Sequence, residues 1–167
     1  MPAGKTYTPI ARTTLSSAAA SVTFSSISGS YTDLILVSNL GGSVSGEAVR
    51  IQINSDSGSN YSYTAMRGNG TSATSERATS ATSLRISTGV GVTTNTSDMT
   101  IITNLQNYSN TTTFKTLISR AGQAANGTES SVGLWRSTSA INAIQVSNTN
   151  GNIVAGSTFT LYGILAA

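Results

Sequence analysis

The stretch Val49-Arg50-Ile51-Gln52-Ile53-Asn54-Ser55-Asp56-Ser57-Gly58-Ser59-Asn60-Tyr61-Ser62-Tyr63 decides the fold class. Its first five residues alternate apolar and polar side chains, which sends them to opposite faces of a sheet. A cluster of Asn, Ser, Asp and Gly follows, the composition of a turn. The alternation then resumes, with Tyr61 and Tyr63 on one face. The reading is strand, turn, strand: residues 54–60 form a hairpin turn between strands 47–54 and 60–67.

The same period recurs outward from this stretch. It is seen in Ser21–Ile27, Ser83–Ser87, Phe114–Ile118 and Thr158–Tyr162. Leu34–Val37 and Met99–Ile102 are continuous apolar runs, as expected of strands covered on both faces. Candidate strands fall at 5–11, 20–27, 32–39, 47–54, 60–67, 82–88, 97–107, 112–120, 130–137, 140–147 and 157–165. Turn signals separate them, among them Asn69-Gly70, Asn126-Gly127 and Asn150-Gly151, since Asn-Gly tolerates positive φ. Residues 17–20 could form one helical turn and no more. There are no heptads, no glycine at every third position and no internal repeat. The polar, low-complexity segment 68–82 reads as a long exposed loop or an arm reaching a neighbour.

These features predict an all-β fold: a single-domain antiparallel β-sandwich over residues 1–167, jelly-roll-like, with an N-terminal arm at 1–7. The expected core contains Phe24, Leu36, Ile51, Ile53, Ile101, Phe114, Leu134, Trp135, Ile144, Phe159 and Leu161.

Composition narrows function. The 167 residues include no His and no Cys, only 9% are charged, and close to a third are Ser or Thr. A Ser-His-Asp triad is therefore excluded, as is any His/Cys zinc site. The carboxylates are Asp33, Glu47, Asp56, Glu76, Asp98 and Glu129. Two facing carboxyls could make a glycosidase pair, but nothing in the spacing brings two together, and turn or surface roles suit them better. Residues 54–60 space oxygen ligands like a calcium loop but supply a single Asp and no closing acidic residue. Gly89-Val90-Gly91-Val92 is followed by no helix, so it is no phosphate cradle. The expectation is a non-enzyme with no cofactor and no metal.

The net charge is +3, yet the nine basic residues are scattered, unlike the concentrated patch of a nucleic-acid binder. No apolar run is long enough to cross a membrane as a helix. The start carries no apolar signal core, so synthesis in a host cytoplasm is expected. Sparse charge leaves a surface suited to packing against other subunits. Exposed Tyr and Trp could also stack on sugars, and Tyr61, Tyr63 and Trp135 are the candidates. Buried tyrosine beside a sheet is the competing reading.

Ser21–Ile27 followed by Tyr31-Thr32-Asp33-Leu34-Ile35-Leu36-Val37, then Ile51–Ser62, and the ending Ala155–Ile164 resemble a class of small virion proteins of tailed bacteriophages, including phages of marine and cyanobacterial hosts. The resemblance spans most of the chain and carries no catalytic residues. It implies a non-enzymatic β-sandwich on a phage particle: a capsid decoration or cement protein that stabilises the head. The alternative is a receptor-binding fibre tip or knob that recognises host glycans. The expected partners are other virion proteins, either the major capsid protein or tail and fibre proteins. Further copies of the chain are expected too, in a closed homo-oligomer such as a trimer. Met1, Lys5, Tyr7 and Arg77 are the expected interface residues, from the arm and the polar segment.

Overall fold

A computed structural model describes residues 6–94 and 99–165 of the chain. Met1, Lys5 and Asp98 thus lie outside the described residues. The described chain is all-β, in two antiparallel sheets. In order the strands are β1 Tyr7–Thr14, β2 Ser21–Phe24, β3 Asp33–Leu40, β4 Glu47–Ile53, β5 Tyr61–Gly68 and β6 Ala73–Ala81. They continue with β7 Leu84–Val92, β8 Met99–Leu105, β9 Lys115–Gln123, β10 Gly127–Trp135, β11 Ile144–Asn148 and β12 Thr158–Ile164.

The large sheet has the order β1-β12-β3-β8-β9-β10-β5-β6, and the small one β2-β11-β4-β7. From β2 to β5 each successive strand changes sheet, and later crossings place β7 and β11 in the small sheet. This to-and-fro winding is that of a jelly roll, as expected from the turn spacing. The large sheet is widened by the β8-β9-β10 meander and by β12 and β1 at one edge.

Alternation decides what is buried. Leu34, Leu36 and Leu40 of β3, Ile51 and Ile53 of β4, Ile101 of β8, Ile144 of β11, and Phe159 and Leu161 of β12 are at most 1% exposed. Each such side chain contributes roughly 1.5–3 kcal/mol on leaving water. Phe114 departs from the expectation: it precedes β9 and is 51% exposed. Leu134 is only half-buried, because it takes the outward position beside the buried Trp135.

Two local readings are corrected. Segment 68–82 is not a loop. Only its start turns, at Asn69–Ser72, where Gly70 has φ +85°; residues 73–81 form β6, paired with β5. Its composition hid it, because small polar residues on both faces leave no hydrophobic alternation to see. Nor is 54–60 a hairpin turn, since β4 pairs with β11 and β7 whereas β5 pairs with β10 and β6. The segment is a corner carrying the chain from one sheet to the other. Asn54 and Ser55 adopt left-handed φ values of 51° and 58° to make it. Side chains compensate: Asn54 Oδ1 accepts from the Asn142 and Ala143 amides at 2.9 and 3.0 Å, and its Nδ2 donates to the Ala140 carbonyl at 2.8 Å.

Gly89–Val92 is the bent end of β7, where its register against β4 shifts. Gly91, at φ +61°, lies so close to Gly46 that a Cβ would come within 2.9 Å of its Cα.

Candidate interaction face

The described carboxylates are all engaged within the fold. Asp33 accepts from the Asn107 amide at 2.6 Å, and Glu47 from Asn150 Nδ2 at 3.1 Å and from the Thr149 hydroxyl. Glu76 faces Arg85 at 3.7 Å. Glu129 is buried and accepts from the Thr88 amide at 2.8 Å, the Thr88 hydroxyl at 2.9 Å and the Val90 amide at 3.4 Å.

Asp56 anchors the β4–β5 corner. Its Oδ1 accepts from the Gly58 amide at 2.8 Å and its Oδ2 from Asn60 Nδ2 at 3.0 Å and Trp135 Nε1 at 2.7 Å. Nitrogen donors therefore occupy the oxygens that a calcium loop would turn to a cation. Tyr61 completes the corner, donating its hydroxyl to the Asp56 carbonyl at 2.9 Å while accepting from the Ile53 amide at 3.2 Å. Burial pushes the Tyr61 phenol up to about 12.

The Trp135 bond, helped by Asn60 and Gly58 against partial burial, holds the Asp56 carboxyl below its ordinary range. A lowered folded pKa stabilises the protein fully above the unfolded value of about 3.9 and is lost as pH falls through the folded one. The stability gap between wild type and Asp56→Asn should therefore be constant above about pH 5 and close on acidification. Urea titrations at stepped pH check this; a gap independent of pH would overturn it.

The proposed sugar-stacking residues are core residues. Tyr61 is fully buried, Tyr63 and Trp135 nearly so. Tyr61 and Trp135 stack on each other with ring centroids 6.5 Å apart, and the Arg85 guanidinium lies 6.0 Å from the Tyr63 ring centroid. Their faces are occupied by the protein itself. All three sit at inward positions of β5 and β10, where the alternation of those strands points them at the small sheet.

What the fold leaves open is the other face of the large sheet. Register places its outward side chains in rows. One row runs Arg12–Thr160–Val37–Ile102–Arg120–Ser130–Met66–Ser75 across all eight strands. The next runs Pro9–Tyr162–Ile35–Asn104–Ile118–Val132–Thr64–Arg77. Met66 is 66% exposed, Val132 46% and Ile118 40%. Tyr7, 57% exposed, packs edge-on against Tyr162 at the β1 border. Near Met66 and Arg120, the small residues Gly68, Ala73 and Thr128 leave an open trough of about 610 Å³.

Charge follows the same division. Arg12, Arg77 and Arg120 are exposed on this face and, among the described residues, have neither a hydrogen bond nor an ion pair. The remaining described cations are tied down: Arg50 to Ser147, Arg67 to Thr74, Arg85 to Glu76, and Arg136 to Ser62 and the Ser59 carbonyl. Lys115 is buried and donates to the Thr113 and Thr138 carbonyls at 2.7 and 3.2 Å; burial lowers its pKa.

Of the interface residues expected from sequence, Tyr7 and Arg77 both lie on this face, at opposite borders. Ile118, Val132, Met66 and Arg120 were missed. For Ile118 and Val132 a signal was present: Ile118 follows the inward Leu117 directly, and Val132 and Leu134 put aliphatic side chains on the outward face of β10, which one-sided burial does not require. No protein-family model matches the chain, and no curated protein matches it.

Proposed function

We propose that the chain is a non-enzymatic structural protein of a phage particle, a decoration or cement protein of the head. It lies with the outward face of its large sheet on neighbouring shell subunits. One observation carries this reading: that face combines exposed aliphatic side chains with partner-free arginines, while the rest of the described charge is used internally. Interfaces of this kind have an apolar centre and are enriched in Arg. A standard interface buries ~1,600 Å² in total, an area an eight-stranded face can supply. The particle itself is suggested by the resemblance of residues 21–37, 51–62 and 155–164 to small virion proteins. The glycan-reading alternative loses its aromatic support, since Tyr61, Tyr63 and Trp135 are buried.

The test is reconstitution on heads that lack the protein. Wild type should bind and raise their melting temperature. Ile118→Asp and Val132→Asp, both at exposed positions, should weaken binding by about thirtyfold or more, as expected of central interface positions, while costing the isolated protein only about 1 kcal/mol each through lost strand propensity. Heads that melt identically with and without the protein would sink the reading.

A further inference from the structure

We propose that β6 is a docking edge for a second copy of the chain, the two β6 strands pairing antiparallel about a two-fold axis through Ser75. A sheet edge presents unpaired N–H and C=O groups that template another strand unless it is guarded. The described sheets have four edges, and three are guarded. β1 carries Pro9 and a register shift between Pro9 and Ala11. β2 has only four residues. β7 is capped from the large sheet: Glu129 accepts its Thr88 and Val90 amides, and Ser119 Oγ donates to its Ile86 carbonyl at 3.0 Å. β6 has nine residues and no proline. Its register against β5 shifts only beyond Ala78, where Ser80 takes φ 58°, so residues 73–78 stay regular. Glu76 points inward, a common edge guard, but Arg85 of the same chain compensates its charge.

The direction of the free groups follows from the ladder. Asn69 donates its amide to the Ser72 carbonyl, and Arg136 donates to the Asn60 carbonyl. Bonded and non-bonded pairs alternate along an antiparallel ladder. The odd residues of β5 therefore bond to β6, and the even ones to β10. Through the pairs Arg67–Thr74, Ala65–Glu76 and Tyr63–Ala78, the backbone groups of Thr74, Glu76 and Ala78 are used internally. Those of Ala73, Ser75 and Arg77 face away from the sheet.

A two-fold axis through Ser75 engages all three. Ser75 exchanges hydrogen bonds with the partner's Ser75, and Ala73 with the partner's Arg77, each pair making both bonds. Arg77 then lies opposite the small Ala73, and Thr74 opposite the partner's Glu76. Moving the axis to residue 76 or 77 would set Glu against Glu or Arg against Arg, which is unfavourable. Moving it to residue 74 would leave Arg77 unpaired. The chain is thus self-complementary in one register. Edge pairing buries less than a standard interface of ~1,600 Å², so the dimer is reversible in solution and is favoured where copies are held close together.

Sedimentation at rising concentration tests this on the full chain. Wild type should dimerise reversibly, and the Ser75 and Arg77 amides should slow in hydrogen exchange as concentration rises. Ser75→Pro removes a donor used only in the dimer, at an edge position where proline is tolerated. It should weaken association by about tenfold or more. Ala73→Glu sets a carboxylate opposite the partner's Arg77 and should tighten it roughly threefold to tenfold, whereas Ala73→Arg should weaken it. Both are exposed substitutions that leave the fold alone. A protein that stays monomeric to about 1 mM, or one whose dimer ignores all three substitutions, overturns the proposal. The latter result would mean that another surface pairs. Binding to heads is a separate readout: a monomer that still coats heads sinks the pairing alone.

Discussion

Replacing Glu129 with Ala is expected to lower the unfolding free energy by about 4 kcal/mol. The carboxylate is almost fully buried and accepts from two backbone amides and one hydroxyl of β7. Removing it strands these donors away from water, and each buried unsatisfied group costs roughly 1–3 kcal/mol. Glu129→Gln keeps Oε1 for both Thr88 donors but turns an amide N–H₂ towards the Val90 amide, so about half the loss is expected. Denaturant unfolding measures both. Amide exchange at Thr88 and Val90 adds a local readout, because the cap on the β7 edge is the physical cause. Exchange at these amides should quicken in Glu129→Ala beyond the change in global stability. A loss under about 1 kcal/mol would mean that β7 is held by its packing and not by this carboxylate.

Trp135→Ala should cost about as much, roughly 3–5 kcal/mol, through the cavity beneath β10 and the lost stacking on Tyr61. Trp135→Phe separates the two roles of the side chain. It keeps most of the apolar volume and drops the indole N–H bond to Asp56, so about 1.5 kcal/mol is expected. That bond is the largest cause of the lowered Asp56 pKa. Carboxyl titration by NMR should therefore show Asp56 moving up towards the ordinary range in Trp135→Phe, while Glu47, held low chiefly by its bond from Thr149, stays in place. An unmoved Asp56 would overturn the assignment. Since Trp135 is the only tryptophan, its emission should also be that of a buried indole, unchanged by added glycans.

Much of the fold was legible because period two is a local property. Val49–Ile53 and Phe159–Leu161 announce their two faces in their own order of residues, and Asn69-Gly70 and Asn126-Gly127 announce their turns. Leu34–Val37 reads as covered on both faces, yet Ile35 and Val37 lie half-buried on the open one. β6 was not legible. Ala73-Thr74-Ser75-Glu76-Arg77-Ala78-Thr79-Ser80-Ala81 has no apolar face to contrast with a polar one, and it is a strand because β5 supplies its hydrogen bonds. The corner at 54–60 was misread for a related reason. Turn composition marks where the chain reverses, but it does not say whether the next strand pairs with the last or crosses to the other sheet.

The same limit applies to the site. Placing Tyr61 and Tyr63 on one face follows from alternation alone. Whether that face looks to solvent or to a second sheet depends on the strands stacked over it, and here β7 lies there. By itself the sequence determined an all-β chain without His or Cys chemistry and, wherever apolar and polar residues alternate, which side chains share a face. Only the tertiary structure decided which face of each strand meets water, that the tyrosines and Trp135 lie inside, and that Arg12, Arg77 and Arg120 share one open face. The physical reason is that the hydrogen bonds and contacts of a sheet join residues far apart in the chain, so alternation fixes which side chains travel together but not what they meet.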